Sequence, residues 1–162
     1  MCSSDLTAAT GRNGQAVTAD IAASDLHAPG LSAKALRVTA NLDELSTLPR
    51  GRAKLTAKGL DAGDLDLASL DLEANGDGKH LDVTAETQGT LPGGRPLTLH
   101  TQARLAGSVK ERTVTVSRLS GTLAKREFAL QSPTTLVLAG STTRLDGLAL
   151  TFDKAKIGRA HV

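Results

Sequence analysis

The chain has 162 residues, 19 of them basic and 17 acidic, for a formal net charge of +2. That balance gives no strong field for nucleic acid or a membrane surface, and no run of about 18 apolar residues is present to cross a bilayer as a helix. Aromatic residues are 1% of the chain, Phe128 and Phe152, so Leu, Ala and Val carry the burial that aromatics usually supply in a β-sandwich of this length.

The two ends are read apart from the rest. Residues 157–162, IGRAHV, back-translate to ATC GGA AGA GCA CAC GTC. The reverse complement, read from its GTG, encodes a start residue and then Cys-Ser-Ser-Asp, as in Met1-Cys2-Ser3-Ser4-Asp5. Ends that encode each other's complement match the two strands of a sequencing adapter. Residues 1–6 and 157–162 are therefore expected to be adapter-derived, and 7–156 to be a single β-trough segment of a longer protein. The one cysteine, Cys2, falls in the first of these ends, so the rest of the chain needs no disulfide and the compartment stays open.

In chain order, 7–14 is polar and expected to fray. Residues 15–22 alternate weakly, with Val17, Ala19 and Ile21 on one side, and 24–32, around Pro29-Gly30, reads as a turn. A strand over 33–42 sends Leu36, Val38, Ala40 and Leu42 one way and Arg37, Thr39 and Asn41 the other, because successive side chains of a strand face opposite sides. Residues 43–48 read as a helical turn stopped by Pro49. Over 51–58, Ala53, Leu55 and Ala57 oppose Arg52, Lys54 and Lys58.

The clearest alternation runs over 63–89: Leu65 and Leu67, then Leu70, Leu72 and Ala74, then Leu81, Val83 and Ala85. The intervening Asn75-Gly76-Asp77-Gly78 supplies a hairpin turn, which sets Leu72 opposite Val83 and Leu70 opposite Ala85. Beyond Pro92-Gly93-Gly94, the strand 95–105 carries Leu97, Leu99, Thr101, Ala103 and Leu105, and 112–123 carries Val114 and Val116, then Leu119 and Leu123. Shorter strands hold Phe128 and Leu130, Leu136 and Leu138, and finally Leu145, Leu148, Leu150 and Phe152. About ten strands joined by short turns predict an all-β antiparallel meander.

Within three of these strands the apolar parity slips by one residue: between Leu67 and Leu70, between Val116 and Leu119, and between Leu145 and Leu148. A slip turns the apolar side outward unless the strand bends or bulges there. Two readings stay open: two short strands at each slip, or strands that kink at a regular depth and curl the sheet into an open trough with one apolar inner face.

No constellation for chemistry stands out. Asp71, Glu73, Asn75, Gly76 and Asp77 approach a calcium-loop spacing, but Asp82 ends it, Lys79 takes a ligand position, and the flanks alternate as strands. His27, His80 and His100 have no metal-ligand spacing, and Ser120-Gly121 lacks the second glycine of a nucleophile elbow. Asp64 and Asp66 are alternate outward residues, and Arg50, Arg52, Lys54 and Lys58 read as a solvated basic face. The expectation is no catalytic residue, no metal and no cofactor.

About thirty inward aliphatic residues, each worth on the order of 1.5–3 kcal/mol when buried, must be hidden by a second sheet, by barrel closure or by a ligand. LDLASLDLEANGDG, LDVTAETQG, RLSGTLAKREFALQSPTTLVLAG and TRLDGLALTF resemble the repeating interior of TamB-type translocation and assembly module proteins, in the AsmA-like group of bridge-like lipid-transfer proteins. The resemblance covers roughly 31–152. It implies a taco-shaped β-trough in a protein anchored in the bacterial inner membrane, crossing the periplasm, and carrying phospholipids toward the outer membrane with an outer-membrane barrel partner. The groove lining would be Leu36, Val38, Leu55, Leu70, Leu72, Leu81, Val83, Leu97, Leu99, Val114, Val116, Leu148 and Leu150, in contact with phospholipid acyl chains. The competing expectation is a structural repeat of a bacterial surface adhesin or autotransporter stalk with a closed core. Either way, unpaired outer strands predict poor solubility of the isolated segment.

Overall fold

The computed structural model describes residues 2–11, 14–43, 50–77, 79–107, 111–139, 142–153 and 155–160, with side chains described between 16 and 153. Among these residues there is no helix. The chain forms β1 (Cys2–Gly11), β2 (Gly14–Ala28), β3 (Leu31–Asp43), β4 (Arg50–Ala62), β5 (Leu65–Asp77), β6 (His80–Leu91), β7 (Arg95–Gly107), β8 (Glu111–Leu123), β9 (Arg126–Leu130), β10 (Thr134–Ala139), β11 (Thr142–Asp146), β12 (Leu148–Phe152) and β13 (Ala155–Ala160). All thirteen belong to one open, antiparallel sheet. β9 and β10 both pair with β8, and β11 and β12 continue that arrangement, so each couple is one long strand interrupted midway.

Every strand was expected to alternate, and the structure shows why that suffices. From β1 to β8 each connection returns the chain beside itself, so the ladder pairs each strand with the one before and the one after; beyond β8 the interrupted strands also pair β8 with β10 and β9 with β12. The stretch 7–14, expected to fray, instead ends β1, which pairs with β2 from Cys2 opposite Ala23 to Gly11 opposite Gly14. Main-chain hydrogen bonds need no apolar side chain, so weak alternation did not prevent pairing. The turn expected over 24–32 shrinks to Pro29-Gly30, with Gly30 at φ 74°, because β2 and β3 run almost to it. The helical turn expected over 43–48 lies outside the described residues apart from Asp43, which ends β3.

Pairing across the hairpin between β5 and β6 is shifted by two residues from what its composition suggested, which moves the centre of the turn one residue along the chain. Leu72 lies opposite Ala85 and Ala74 opposite Val83, while Leu70 faces Thr87. The reason is Asp77: its Oδ1 accepts from the backbone N–H of Lys79 and of His80, each at 2.8 Å, so the turn is built on Asp77 while Asn75 and Gly76 stay in the ladder. Those two N–H groups hold the Asp77 carboxyl below its ordinary range. A depressed folded pKa means the turn is fully supported above the unfolded value of about 3.9 and loses support as pH falls through the lower folded value. Asp77→Ala is expected to lower the urea midpoint modestly at pH 7, with the difference from the parent vanishing in acid. A constant difference down to pH 2 would refute this.

All three parity slips appear as irregularities. In β5 the register shifts between Leu67 and Ser69, leaving Ala68 as the extra residue, and in β8 Ser117 is the extra residue between Val116 and Arg118. The third is a break, with Gly147 at φ 77° between β11 and β12. The kinks do not share one depth, as expected from sequence, but fall on two lines. One runs through Asp25, Lys34, Gly59 and Ala68, each skipped by the ladder beside it, with Asp25 and Gly59 at φ 52° and 56°. The other runs through Ser117, the gap at 131–133 and Gly147. Between them, β6 and β7 pair without interruption from His80 opposite Ala106 to Leu91 opposite Arg95.

Candidate functional site

The registers assemble the apolar residues into rows that cross the sheet at right angles to the strands. Ile21, Val38, Leu55, Leu72, Ala85, Thr101 and Leu119 are successive cross-strand partners over seven strands. The adjacent row is small: Ala19, Ala40, Ala53, Ala74, Val83, Ala103 and Val116. Directly opposed partners share a face, and positions two apart along a strand do too, so these rows lie side by side.

The thirteen residues expected to line a groove all fall on this face. Leu36, Leu70 and Leu99 belong to a row with Ala57 and Thr87; Leu81 and Val114 to one with Leu105; and Leu97 pairs with Leu123. Val38, Leu55 and Leu72 are in the first row above and Val83 and Val116 in the second. Leu150 pairs with Leu130, and Leu148 is two residues before it on β12. Sequence reading missed Leu26, Ala33 and Leu60, which continue the face beyond the first bend line toward Leu67. Their signal was hidden because the parity slips at Asp25, Lys34 and Gly59 sit next to turn-forming residues. It also passed over the alanines, whose small size is what gives the face its relief.

Among the described residues every strand belongs to the one open sheet, so no separate second sheet lies over these rows. The extensive close backbone approaches between strands are those of hydrogen-bonded neighbours, and the approach of β10 to β12 is slight. All thirteen lining residues are half-buried, and no described side chain is fully sequestered; the apolar residues that reach burial are mostly alanines, such as Ala57 at 3% exposure. The chain exposes 10989 Å². A compact monomer of 16.7 kDa exposes about 7,600 Å². Ile21, Leu26, Leu31 and Leu138 are each more than a third exposed.

The opposite face is polar and held by cross-strand ion pairs. Arg104 grips Asp82 through two hydrogen bonds, at 2.6 and 2.9 Å, and lowers the Asp82 carboxyl pKa; Arg37 does the same to Asp20. Arg52 meets Glu73 at 3.2 Å, so part of the basic face on β4 is matched by β5. His100 stands 3.5 Å from Glu86, His80 3.7 Å from Asp77, and His27 Nδ1 2.9 Å from the Asp25 carbonyl oxygen. Exposed pairs of this kind are worth about 0–1 kcal/mol each.

A hollow of about 470 Å³ on this side is lined by Thr98, His100, Ser120, Thr122, Glu127 and Asp153, among others. Several of its polar groups are engaged in holding strands together: Thr98 and Thr122 share a hydroxyl hydrogen bond of 2.8 Å, and Asp153 accepts from Arg126 at 2.6 Å and from the Glu127 N–H at 2.9 Å. Among the described residues no three His, Asp or Glu side chains gather to hold a metal ion. The geometry therefore offers one extended feature, the aliphatic face. No family model matches the chain, and no curated protein or solved structure matches it either.

Proposed function

We propose that this chain is a segment of a periplasm-spanning lipid conduit that carries phospholipids between the inner and outer membranes of a bacterium. Acyl chains lie on the aliphatic rows and headgroups stay in water at the open side. The observation that supports this reading is the single open sheet, whose apolar face is continuous over seven strands with no separate second sheet over it among the described residues. Seven strands at about 4.8 Å spacing give a face some 34 Å across, longer than one extended acyl chain. The lining supports sliding rather than capture: it is aliphatic and nearly free of aromatics, and the ion pairs Asp20–Arg37, Arg52–Glu73 and Asp82–Arg104 are on the other side. The parent protein would be anchored in the inner membrane and deliver to an outer-membrane barrel partner through regions outside this segment.

The test is organic extraction of the purified chain followed by mass spectrometry. Bound phospholipid, in molar amounts comparable to the protein, is the expected result. A clean extract from folded protein would overturn the reading in favour of a structural repeat of an adhesin or autotransporter stalk.

A further inference from the structure

We infer that, stripped of lipid, two copies of this chain pair apolar face to apolar face, and that the second copy and the acyl chains compete for the same rows. This rests on the conduit reading only for the competition; the pairing itself follows from area and relief. The face over β2–β8 has a footprint of about 34 by 36 Å, from strand spacing and rise, or roughly 1,200 Å² per copy. A face-to-face pair would bury about 2,400 Å² or more, within the range of permanent homodimers.

The face is also complementary to itself. The ridge Ile21, Val38, Leu55 and Leu72 runs beside the furrow Ala19, Ala40, Ala53 and Ala74, with rows about 7 Å apart. A two-fold axis lying between ridge and furrow, parallel to both, seats each copy's ridge in the other's furrow, as an isologous interface requires. The ion pairs Asp20–Arg37, Arg52–Glu73 and Asp82–Arg104 are on the outer faces, so pairing buries none of them.

Sedimentation of the full chain, delipidated and free of detergent, tests this. The expected species at tens of micromolar has twice the mass of 16.7 kDa. Leu55→Asp puts a charge on the ridge and should weaken association at least about 10-fold. Ala53→Leu, which keeps the face apolar and fills the furrow, should weaken it too, while Gln102→Glu on the polar side should not. Adding a short-chain phosphatidylcholine should dissociate the pair. A monomeric parent chain would overturn the inference, as would a dimer indifferent to both face variants, since edge pairing would then be responsible. A monomer that carries phospholipid sinks the dimer and leaves the conduit standing; a dimer with a clean extract does the reverse.

Discussion

Gly121→Ala is expected to destabilise the sheet by about 3 kcal/mol, at the upper end of what overpacking costs. Gly121 sits in β8, opposite Leu99 on β7 and Phe128 on β9. A Cβ there would fall 1.9 Å from the carbonyl oxygen of Thr98 and 3.1 Å from the Cα of Leu99. Both are backbone atoms, so no rotamer change relieves the overlap and β7 must part from β8. Phe128, the partner of Gly121 on β9, packs its ring on Phe152 at a centroid distance of 5.8 Å. The comparison is Gly63→Ala, at a turn with φ 67° and nothing within 4 Å. It pays only the left-handed backbone cost, about 1 kcal/mol. Urea unfolding followed by far-UV circular dichroism reads both. Equal losses would show that close strand approach is not what requires glycine at 121.

Leu72→Asp is expected to cut co-purifying phospholipid at least about 10-fold while the sheet persists. Leu72 lies in the ridge row, half-buried, between Leu55 on β4 and Ala85 on β6. A carboxylate there stays hydrated in the empty sheet, where the face is open, but loses water beneath an acyl chain. Desolvating a charge without a partner costs several kcal/mol, and 1.4 kcal/mol is already a factor of ten. Gln102→Glu adds the same charge to the polar face and should leave the lipid content unchanged. Phosphorus per mole of protein after extraction, with circular dichroism to confirm the fold, decides the matter. Undiminished lipid on a folded Leu72→Asp chain would place the lipid elsewhere.

The apolar face was legible because alternation with period two states which side each residue takes, whatever the register. Leu36, Leu55, Leu72 and Leu97 could thus be assigned to one side before their partners were known. The bulges at Ala68 and Ser117 were legible for the same reason: apolar residues on both flanks exposed the slip. At Asp25 and Gly59 only Leu26 and Leu60 follow before a turn, too few to show a change of parity. The hairpin register was misread because Asn75-Gly76 carries the composition of a turn, whereas a side-chain acceptor, Asp77, decides where the turn closes. What rests on the face was not legible, since a sequence of outward and inward residues specifies a surface and not its occupant.

The two bend lines have a consequence for shape. Followed onto β6, the first crosses at Gly89 and the second at Thr84, five residues apart. That is about 16 Å along the strand, for a lateral distance of three strands, about 14 Å. Bulges sharpen the right-handed twist of a strand, so irregularities that step sideways in this way add twist across the sheet. A ligand laid across the rows would meet them at an angle that changes from strand to strand, with the unbroken pair β6–β7 at the middle of that turn.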